Sequence, residues 1–368
     1  MIILSHKSAL GIWRATAREC EDDETVTSQG SAGFASHHSW EPSIPFESLH
    51  VIDLSQLSLA VSVSEVRAAL RQLGPWLESA LVEGQVHLLF PMHRKRIVVP
   101  GVKSHSWCGG LHRRALYRVS KDVLLSSPEF TLLQLAYGST LARSALLSLE
   151  FCGFYSKANG SESKLRTRRA PLTTPLRIGS LIDELPAAHG IRLIKRTLPY
   201  LMAGSASPME TNVAMLACLP RCYGGYGLAT PGFNQTIELS KEGERIMGMN
   251  AITADLVWTS AHVAVEYNST EEHGLDPDET DNSSVQMRKT LHKLERRRKR
   301  DEMRVSALSA SGWKTFPLVG AQVYNCQSFD AVIRAIANAL GKKVREETPD
   351  FQRKRALLRW EVLELEDK

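Results

Sequence analysis

The chain has 368 residues, of which 43% are hydrophobic and 23% are charged. This length exceeds what one ordinary hydrophobic core accommodates, so we expect two domains with connecting segments. The composition is typical of a soluble globular protein, and no apolar run approaches the ~20 residues of a membrane-spanning helix. The N-terminal sequence MIILSHKSALGIWR is too short and too polar for a signal peptide. We therefore expect a cytoplasmic protein with no membrane partner.

The net charge of +5 is unevenly distributed. Basic clusters occupy residues 293–300 (KLERRRKR) and 164–169 (KLRTRR), whereas residues 19–24 and 276–281 are acidic. Dense basic clusters are compatible with phosphate contacts, although each one also fits a solvated helix face or loop. Of the six cysteines only Cys218 and Cys222 lie close together, with no second pair or nearby histidine to complete a zinc site. Reduced thiols are therefore expected.

The first half of the chain predicts three segments. Residues 1–48 predict a short helix followed by a flexible segment. Residues 49–155 predict a mixed strand and helix recognition domain, with strands in SLHVIDL (48–54), GQVHLLFP (84–91), KRIVVPGV (95–102) and ALYRVSKDVLLS (115–126). Ser127 and Pro128 begin a helix that we expect to continue to about Phe151. Residues 156–204 predict an exposed linker and one or two helices.

Residues 205–341 predict a second domain with the element order α-β-β-β-α-β-α. Ser207, Pro208 and Glu210 form a helix-start signal in which Glu210 completes a capping box. Strands are predicted at 233–239, 252–258, 263–268 and 313–319, a charged insertion at 274–298, and helices at 299–311 and 328–341. Residues 342–368 predict a charged helical tail. The fold class is therefore α/β (α+β), with Gly224, Gly225 and Gly227 in a structural turn.

Two acidic residues lie on neighbouring predicted strands, Asp255 in AITADLVW and Glu266 in HVAVEYN. A turn centred between Ser260 and Ala261 puts Asp255 opposite Glu266, and it keeps the apolar residues of both strands on the other face. Residues directly opposite each other in a sheet have Cβ atoms ~5 Å apart. Two carboxylates at that distance need positive charge between them, and a divalent cation is the usual source. Asp255 taken alone also fits a strand end or turn.

The ordered set of these residues resembles a known superfamily. Glu210 on a helix, Asp255 on a strand and VEYN with Glu266 on the next resemble the PD-(D/E)XK restriction-endonuclease-like superfamily. More closely, ADLVW, VAVEYNSTEEH and RDEMRVSALSASGWKTF are similar to its Vsr-like branch, over about residues 205–340. The resemblance implies a C-terminal domain with a central mixed sheet flanked by helices. The N-terminal half, with SSPEFTLLQLA, resembles AbiEi-like proteins of bacterial abortive-infection and toxin–antitoxin systems.

The resemblance also implies roles for individual residues. Asp255 and Glu266 would bind Mg²⁺ (or Mn²⁺), helped by the backbone carbonyl of Tyr267. Such a metal polarises the scissile phosphate and lowers the pKa of an attacking water. Glu210 would orient a water or a second metal, and His273 would transfer protons. Asp301 and Arg304 would orient the site or contact phosphate, so the expected catalytic set is Glu210, Asp255, Glu266, His273 and Asp301.

Structural explanations compete with several of these roles. A capping box alone accounts for Glu210. His273 fits an exposed loop residue, and Asp301 fits a simple helix-terminus position. Arg304 fits an ion pair with Asp301 one helical turn away.

The expected function is a metal-dependent nuclease that hydrolyses phosphodiesters, with DNA as the expected substrate, in a bacterial defence or genome-maintenance setting. The residues expected to contact nucleic acid are Arg166, Arg168, Arg169, Arg296, Arg297, Arg298, Arg300 and Arg304. Asn268 stands where the superfamily usually has a lysine, two residues after the second acid. The alternative is therefore a catalytically inactive nuclease-fold protein that binds nucleic acid or a partner as a regulator. A protein partner or a homo-oligomer stays open.

Overall fold

The computed structural model describes residues 1–16, 44–51, 53–92, 98–157, 165, 167–185, 188–268 and 284–365, with 284–294 and 297 as backbone only. These residues form two compact units that divide after Thr211. Each unit contains one mixed β-sheet with helices, so the α/β (α+β) class is confirmed. Within the described residues, no helix has the length and apolar character needed to cross a membrane.

The first unit is built on a sheet of six strands in the order β2-β5-β6-β1-β3-β4. The strands are β1 (Ile2–Leu4), β2 (Glu47–Leu49), β3 (Val86–Pro91), β4 (Val102–Trp107), β5 (Leu116–Ser120) and β6 (Val123–Ser126). The short strand β1 lies inside the sheet, parallel to β6 and antiparallel to β3. All three of its residues are buried, and neighbouring strands pair with both of its edges.

The helices of the first unit are α1 (His6–Ala15), α2 (Val63–Arg71), α3 (Trp76–Ala80), α4 (Pro128–Ala136), α5 (Leu141–Phe151), α6 (Pro175–Glu184) and α7 (Ile191–Thr197). The predicted start of α4 is confirmed, since the Ser127 hydroxyl accepts a hydrogen bond from the Phe130 amide. The prediction of one helix to Phe151 is wrong. Gly138 has a φ of 76°, a left-handed conformation that ends the first helix, and Thr140 caps the second.

Two further predictions in the first unit need correction, and two helices were missed. The strand predicted at 95–102 is wrong over residues 98–101, which the structure describes, because β4 begins only at Val102. The segment 115–126 forms two antiparallel strands, β5 and β6, in place of one. Helices α2 and α3 were not predicted, although Ser62 caps α2 by accepting a hydrogen bond from the Glu65 amide. Most of the predicted flexible segment lies outside the described residues, and its last part contains β2.

The second unit contains a sheet of four strands in the order β10-β9-β8-β7. The strands are β7 (Gly232–Glu238), β8 (Ala251–Trp258), β9 (Val263–Asn268) and β10 (Lys314–Val319), and the helices are α8 (Pro208–Cys218), α9 (Lys241–Met247), α10 (Ser284–Ala310), α11 (Gly320–Tyr324), α12 (Cys326–Ala339) and α13 (Pro349–Leu363). Helix α8 begins before the division between the units. Strand β8 is antiparallel to β7 and β9, whereas β10 is parallel to β9.

The predicted order of strands and long helices in this region is confirmed, with two differences. Helix α9 lies between the first two strands. Helix α10 begins at Ser284, so the second part of the predicted charged insertion is helical. Lysine, arginine and glutamate are good helix formers, which explains why this charged sequence forms part of the helix and not a loop.

The predicted register of the central hairpin is also confirmed. Leu256 pairs with Val265, Val257 with Ala264 and Trp258 with Val263. An apolar cluster that includes Val257, Ala264, Ala307 and Leu308 packs helix α10 against the sheet. Because Ala307 and Leu308 are fixed by this core, residues one turn earlier on α10 lie next to the same strands.

The glycine-rich turn after α8 has the structural role that the sequence predicts. Gly224 has a φ of 94°, and a Cβ atom there would collide with the backbone of Lys354. A Cβ atom on Gly225 would collide with the carbonyl of Leu219. Close backbone approach, and not phosphate binding, therefore accounts for these glycines.

Candidate active site

The two predicted acids lie on the two central strands of the second unit. Continued by one residue, the register of β8 and β9 places Asp255 opposite Glu266. We call these two residues the acid pair. Oδ2 of Asp255 accepts a hydrogen bond of 2.6 Å from the backbone amide of Tyr267, which fixes the orientation of the Asp255 carboxylate. Glu266 is only 8% exposed, so its carboxylate needs a partner within the protein.

That partner is Arg304 of helix α10. Its Nη2 lies 2.8 Å from Oε1 and 2.7 Å from Oε2 of Glu266, and it also donates to the carbonyl of Thr253 at 2.7 Å. Charge-assisted hydrogen bonds of this length are the strong class in proteins. The expectation that Arg304 pairs with Asp301 is replaced by this contact. The positive charge beside the acid pair is thus supplied by the chain itself.

The surroundings of Glu266 raise the pKa of its carboxyl to about 7. Burial is the largest cause, because it penalises the charged form. The negative charges of Asp255 and Asp301 raise this pKa further, whereas Arg304 lowers it. Burial therefore outweighs the arginine, and Asp301 is close enough to the acid pair to influence its charge.

The acid pair suits a divalent cation by its donor chemistry. Carboxylate oxygens are the hard ligands that Mg²⁺ prefers. Both oxygens of Glu266 are engaged by Arg304, however. Over the described residues, no group of three His, Cys, Asp or Glu side chains is arranged to hold a metal ion. The donor chemistry of the two acids suits a cation, and the structure has Arg304 in the place beside Glu266 that such a cation would take.

Glu210 is engaged at the start of helix α8. Its amide donates to the Ser207 hydroxyl at 3.2 Å, and that hydroxyl donates to Oε1 of Glu210 at 2.9 Å. Oε2 of Glu210 accepts from the amide of Ala206 at 2.8 Å. The capping role predicted for Ser207 and Glu210 is therefore confirmed. Its catalytic role stays a prediction.

The predicted nucleic-acid contacts fall into different environments. Arg296, Arg298 and Arg300 are exposed on helix α10, and Arg168 is exposed in the first unit. Arg169 is only 1% exposed and donates to the carbonyl of Glu150 at 2.7 Å, while burial lowers its pKa to about 10. The prediction for Arg169 is wrong, because its guanidinium is enclosed in the first unit. Arg166, His273 and the side chain of Arg297 lie outside the described residues.

The exposed arginines of α10 lead toward the acid pair. Arg296, Arg300 and Arg304 follow each other at four-residue spacing, so they lie on one side of the helix. We call these three residues the basic stripe. Arg298 projects elsewhere and forms an ion pair of 3.0 Å with Glu302. The basic stripe therefore runs from two exposed arginines, Arg296 and Arg300, to Arg304, which binds Glu266.

A cluster of three histidines in the first unit was not predicted. The rings of His6 and His105 stack with centroids 3.6 Å apart, and Nε2 of His105 lies 2.9 Å from Nδ1 of His87. Burial lowers the pKa of His6 to about 3 and that of His105 to about 4, and it also lowers the pKa of His87. Lys103 lowers all three pKa values and Lys7 lowers that of His87, whereas Glu83 raises the pKa of His87. The surroundings of the three histidines therefore favour their neutral imidazole form.

Comparison with known proteins finds no family model, no curated protein and no solved structure that matches this chain. Functional proposals therefore depend on the residues and their geometry.

Proposed function

We propose that this chain is a divalent-cation-dependent phosphodiesterase with a restriction-endonuclease-like second unit, and that its substrate is DNA. The observation that carries the proposal is the acid pair on adjacent central strands, with an arginine in contact with one acid. Two carboxylates directly opposite each other on neighbouring strands are destabilising, because like charges repel each other there. A cation site for phosphodiester hydrolysis would explain why both carboxylates are present.

The proposed chemistry assigns each residue a task. Asp255 and Glu266 would hold Mg²⁺, which supplies polarisation of the phosphate and a more acidic bound water. The amide of Tyr267 keeps the Asp255 carboxylate in one orientation. Arg304 would stabilise negative charge that develops on the phosphate, as a preorganised cation does in other phosphoryl-transfer sites. His273 keeps its proposed role in proton transfer.

The basic stripe supports nucleic acid as the substrate. Arg296 and Arg300 are exposed, and they precede Arg304 on the same side of helix α10. Successive residues at this spacing are ~6 Å apart along the helix axis. Cations in such a row bind a chain of phosphates better than an isolated phosphate, because each contact releases counterions from the polyanion.

The alternative is a catalytically inactive nuclease-fold protein that binds nucleic acid or a partner as a regulator. Two observations favour it. Asn268 provides no charge where the superfamily usually has lysine. Arg304 already satisfies Glu266, so the acid pair is stable without a cation. In this alternative Arg304 stays on Glu266, and the exposed arginines bind DNA without hydrolysis.

The test is a cleavage assay with the full-length protein on supercoiled plasmid DNA and Mg²⁺ or Mn²⁺. We expect nicked or linear product from the wild type and none from Asp255→Asn or Glu266→Gln. The Asp255→Asn side chain retains an oxygen that can accept from the Tyr267 amide, so this variant is expected to stay folded. Glu238→Gln, which removes an exposed carboxylate from the same sheet, is the matched control. Undiminished cleavage by both acid-pair variants would overturn the proposal, and DNA binding without any cleavage would favour the alternative.

A further inference from the structure

Arg304 belongs to two features of the second unit. It is the last residue of the basic stripe, and it is the residue that binds Glu266 in the acid pair. Its side chain retains 16% exposure, whereas Glu266 retains 10%. The guanidinium of Arg304 is therefore the more exposed partner of this ion pair, and it follows Arg296 and Arg300 on the same side of helix α10.

The guanidinium of Arg304 uses one of its three nitrogens for its contacts with the protein. Nη2 makes the bonds to Thr253 and Glu266, and among the described residues Nε and Nη1 have no hydrogen-bond partner. A guanidinium carries five N–H donors in a fork that matches a phosphate. An incoming phosphate can therefore make its first contact through Nε or Nη1, before the bonds from Nη2 to Glu266 are broken.

The charges of the site make the bound phosphate and the cation depend on each other. Asp255, Glu266 and Arg304 leave one net negative charge when both carboxyls are ionised. While Arg304 engages both oxygens of Glu266, a cation must compete with Arg304 for this carboxylate. If a phosphate attracts Arg304 away, the acid pair loses its counter-charge and becomes a stronger site for a divalent cation.

We propose that Arg304 couples DNA binding to cation binding, because a phosphate of the DNA competes with Glu266 for its guanidinium. This inference rests on the proposed function and specifies how that site is regulated. Without DNA, Arg304 keeps Glu266 closed to cations. With DNA, Arg304 turns to the phosphate and Glu266 joins Asp255 as a ligand. The site then becomes complete only on its substrate.

The coupling is measured by titrating Mn²⁺ into the full-length protein, alone and saturated with a short DNA oligonucleotide that carries phosphorothioate linkages. Free Mn²⁺ is read from its electron paramagnetic resonance signal, so no turnover is required. We expect DNA to raise the affinity for Mn²⁺ at least ~5-fold, within the usual range of coupling between sites. By reciprocity Mn²⁺ should raise the affinity for the oligonucleotide by the same factor.

Variants assign the coupling to Arg304. Arg304→Gln should bind Mn²⁺ more tightly than the wild type without DNA, and DNA should then add little. Arg304→Lys keeps the charge but loses the fork, so it should retain part of the coupling. Arg245→Gln removes an exposed arginine from α9 of the same unit and should leave the coupling unchanged. If Arg304→Gln does not fold, the wild-type comparison decides alone.

Equal Mn²⁺ affinity with and without DNA would overturn the coupling. If such a protein still cleaves DNA, the proposed function survives and only this inference fails. Coupled binding without cleavage would support the inference and overturn the hydrolytic function. Absence of Mn²⁺ binding in both states would overturn both.

Discussion

Nη2 of Arg304 lies 2.8 and 2.7 Å from the two carboxylate oxygens of Glu266, which continues the strand register opposite Asp255. An acid pair of this kind requires a nearby positive charge, and the chain provides one without a metal. The contact between Arg304 and Glu266 therefore fits two roles. It is either a purely structural ion pair, or a cation site in which Arg304 blocks one of the two acids.

Loss of Arg304 should destabilise the second unit by more than loss of a surface arginine. Arg304→Gln leaves the Glu266 carboxylate buried near Asp255 and Asp301 without its counter-charge, and such changes cost roughly 3 kcal/mol. The double variant Glu266→Gln/Arg304→Gln should cost less than the sum of the two single variants, because no uncompensated charge remains. Urea unfolding curves of the four proteins give the coupling energy.

Arg298→Gln is the control for this cycle. It breaks the exposed pair with Glu302, and exposed pairs of this type contribute at most about 0.5 kcal/mol. Equal losses of stability in Arg304→Gln and Arg298→Gln would contradict the view that Arg304 compensates a buried charge.

Glu210→Gln should affect helix α8 and leave cation binding unchanged, if its carboxylate acts only in the cap. The substitution weakens the contacts with Ser207 and Ala206, and loss of a helix cap costs about 1 kcal/mol. Ser207→Ala should have a similar effect on the free energy of unfolding. A loss of Mn²⁺ affinity in Glu210→Gln, with none in Ser207→Ala, would instead support the metal-orienting role predicted from the sequence.

Acid should destabilise the first unit through the histidine cluster. The pKa values of His6, His87 and His105 lie below the ordinary 6.5, so below that pH the unfolded chain takes up protons that the folded cluster does not. The free energy of unfolding should therefore fall as the pH falls from 6.5 toward the lowered values, by up to about 1.4 kcal/mol per pH unit for each imidazole.

His105→Phe tests this pH dependence. It keeps an aromatic ring in the cluster and removes one titrating group, so unfolding between about pH 7 and pH 5 should couple to roughly one proton fewer. His50→Gln, at an exposed position, is the control and should keep the wild-type slope. Identical slopes in the wild type and His105→Phe would contradict the assignment.

The two basic regions should respond differently to substitution. Arg300→Gln should weaken DNA binding across sequences and reduce the slope of log affinity against log salt by about 0.9 for duplex DNA, the value of one phosphate contact. Arg169→Gln should instead lower the stability of the first unit, because this buried guanidinium donates to the carbonyl of Glu150. An unchanged salt slope in Arg300→Gln would exclude it from the DNA surface.

The sequence was most informative where side-chain parity limits the choices. The register of β8 and β9 was predictable, because a slip of one residue would turn the apolar face of the hairpin to solvent. The cap at Ser207 and the start of α4 followed from local hydrogen-bonding preferences. These features depend on residues within a few positions of each other.

Contacts between distant residues were not predictable in the same way. Arg304 and Glu266 are 38 residues apart, and the packing of α10 decides which acid the guanidinium meets. The three histidines come from separate elements and share no local pattern. Strand β1 has only three residues, too few for any periodicity, and its burial depends on both neighbouring strands.

The most direct test is a crystal structure of the protein with the phosphorothioate oligonucleotide and Mn²⁺, read by anomalous scattering of the metal. We expect an anomalous peak at Asp255 and Glu266, with Arg304 on a phosphate of the oligonucleotide. A bound oligonucleotide with no peak at the acid pair, and with Arg304 still on Glu266, would contradict this expectation.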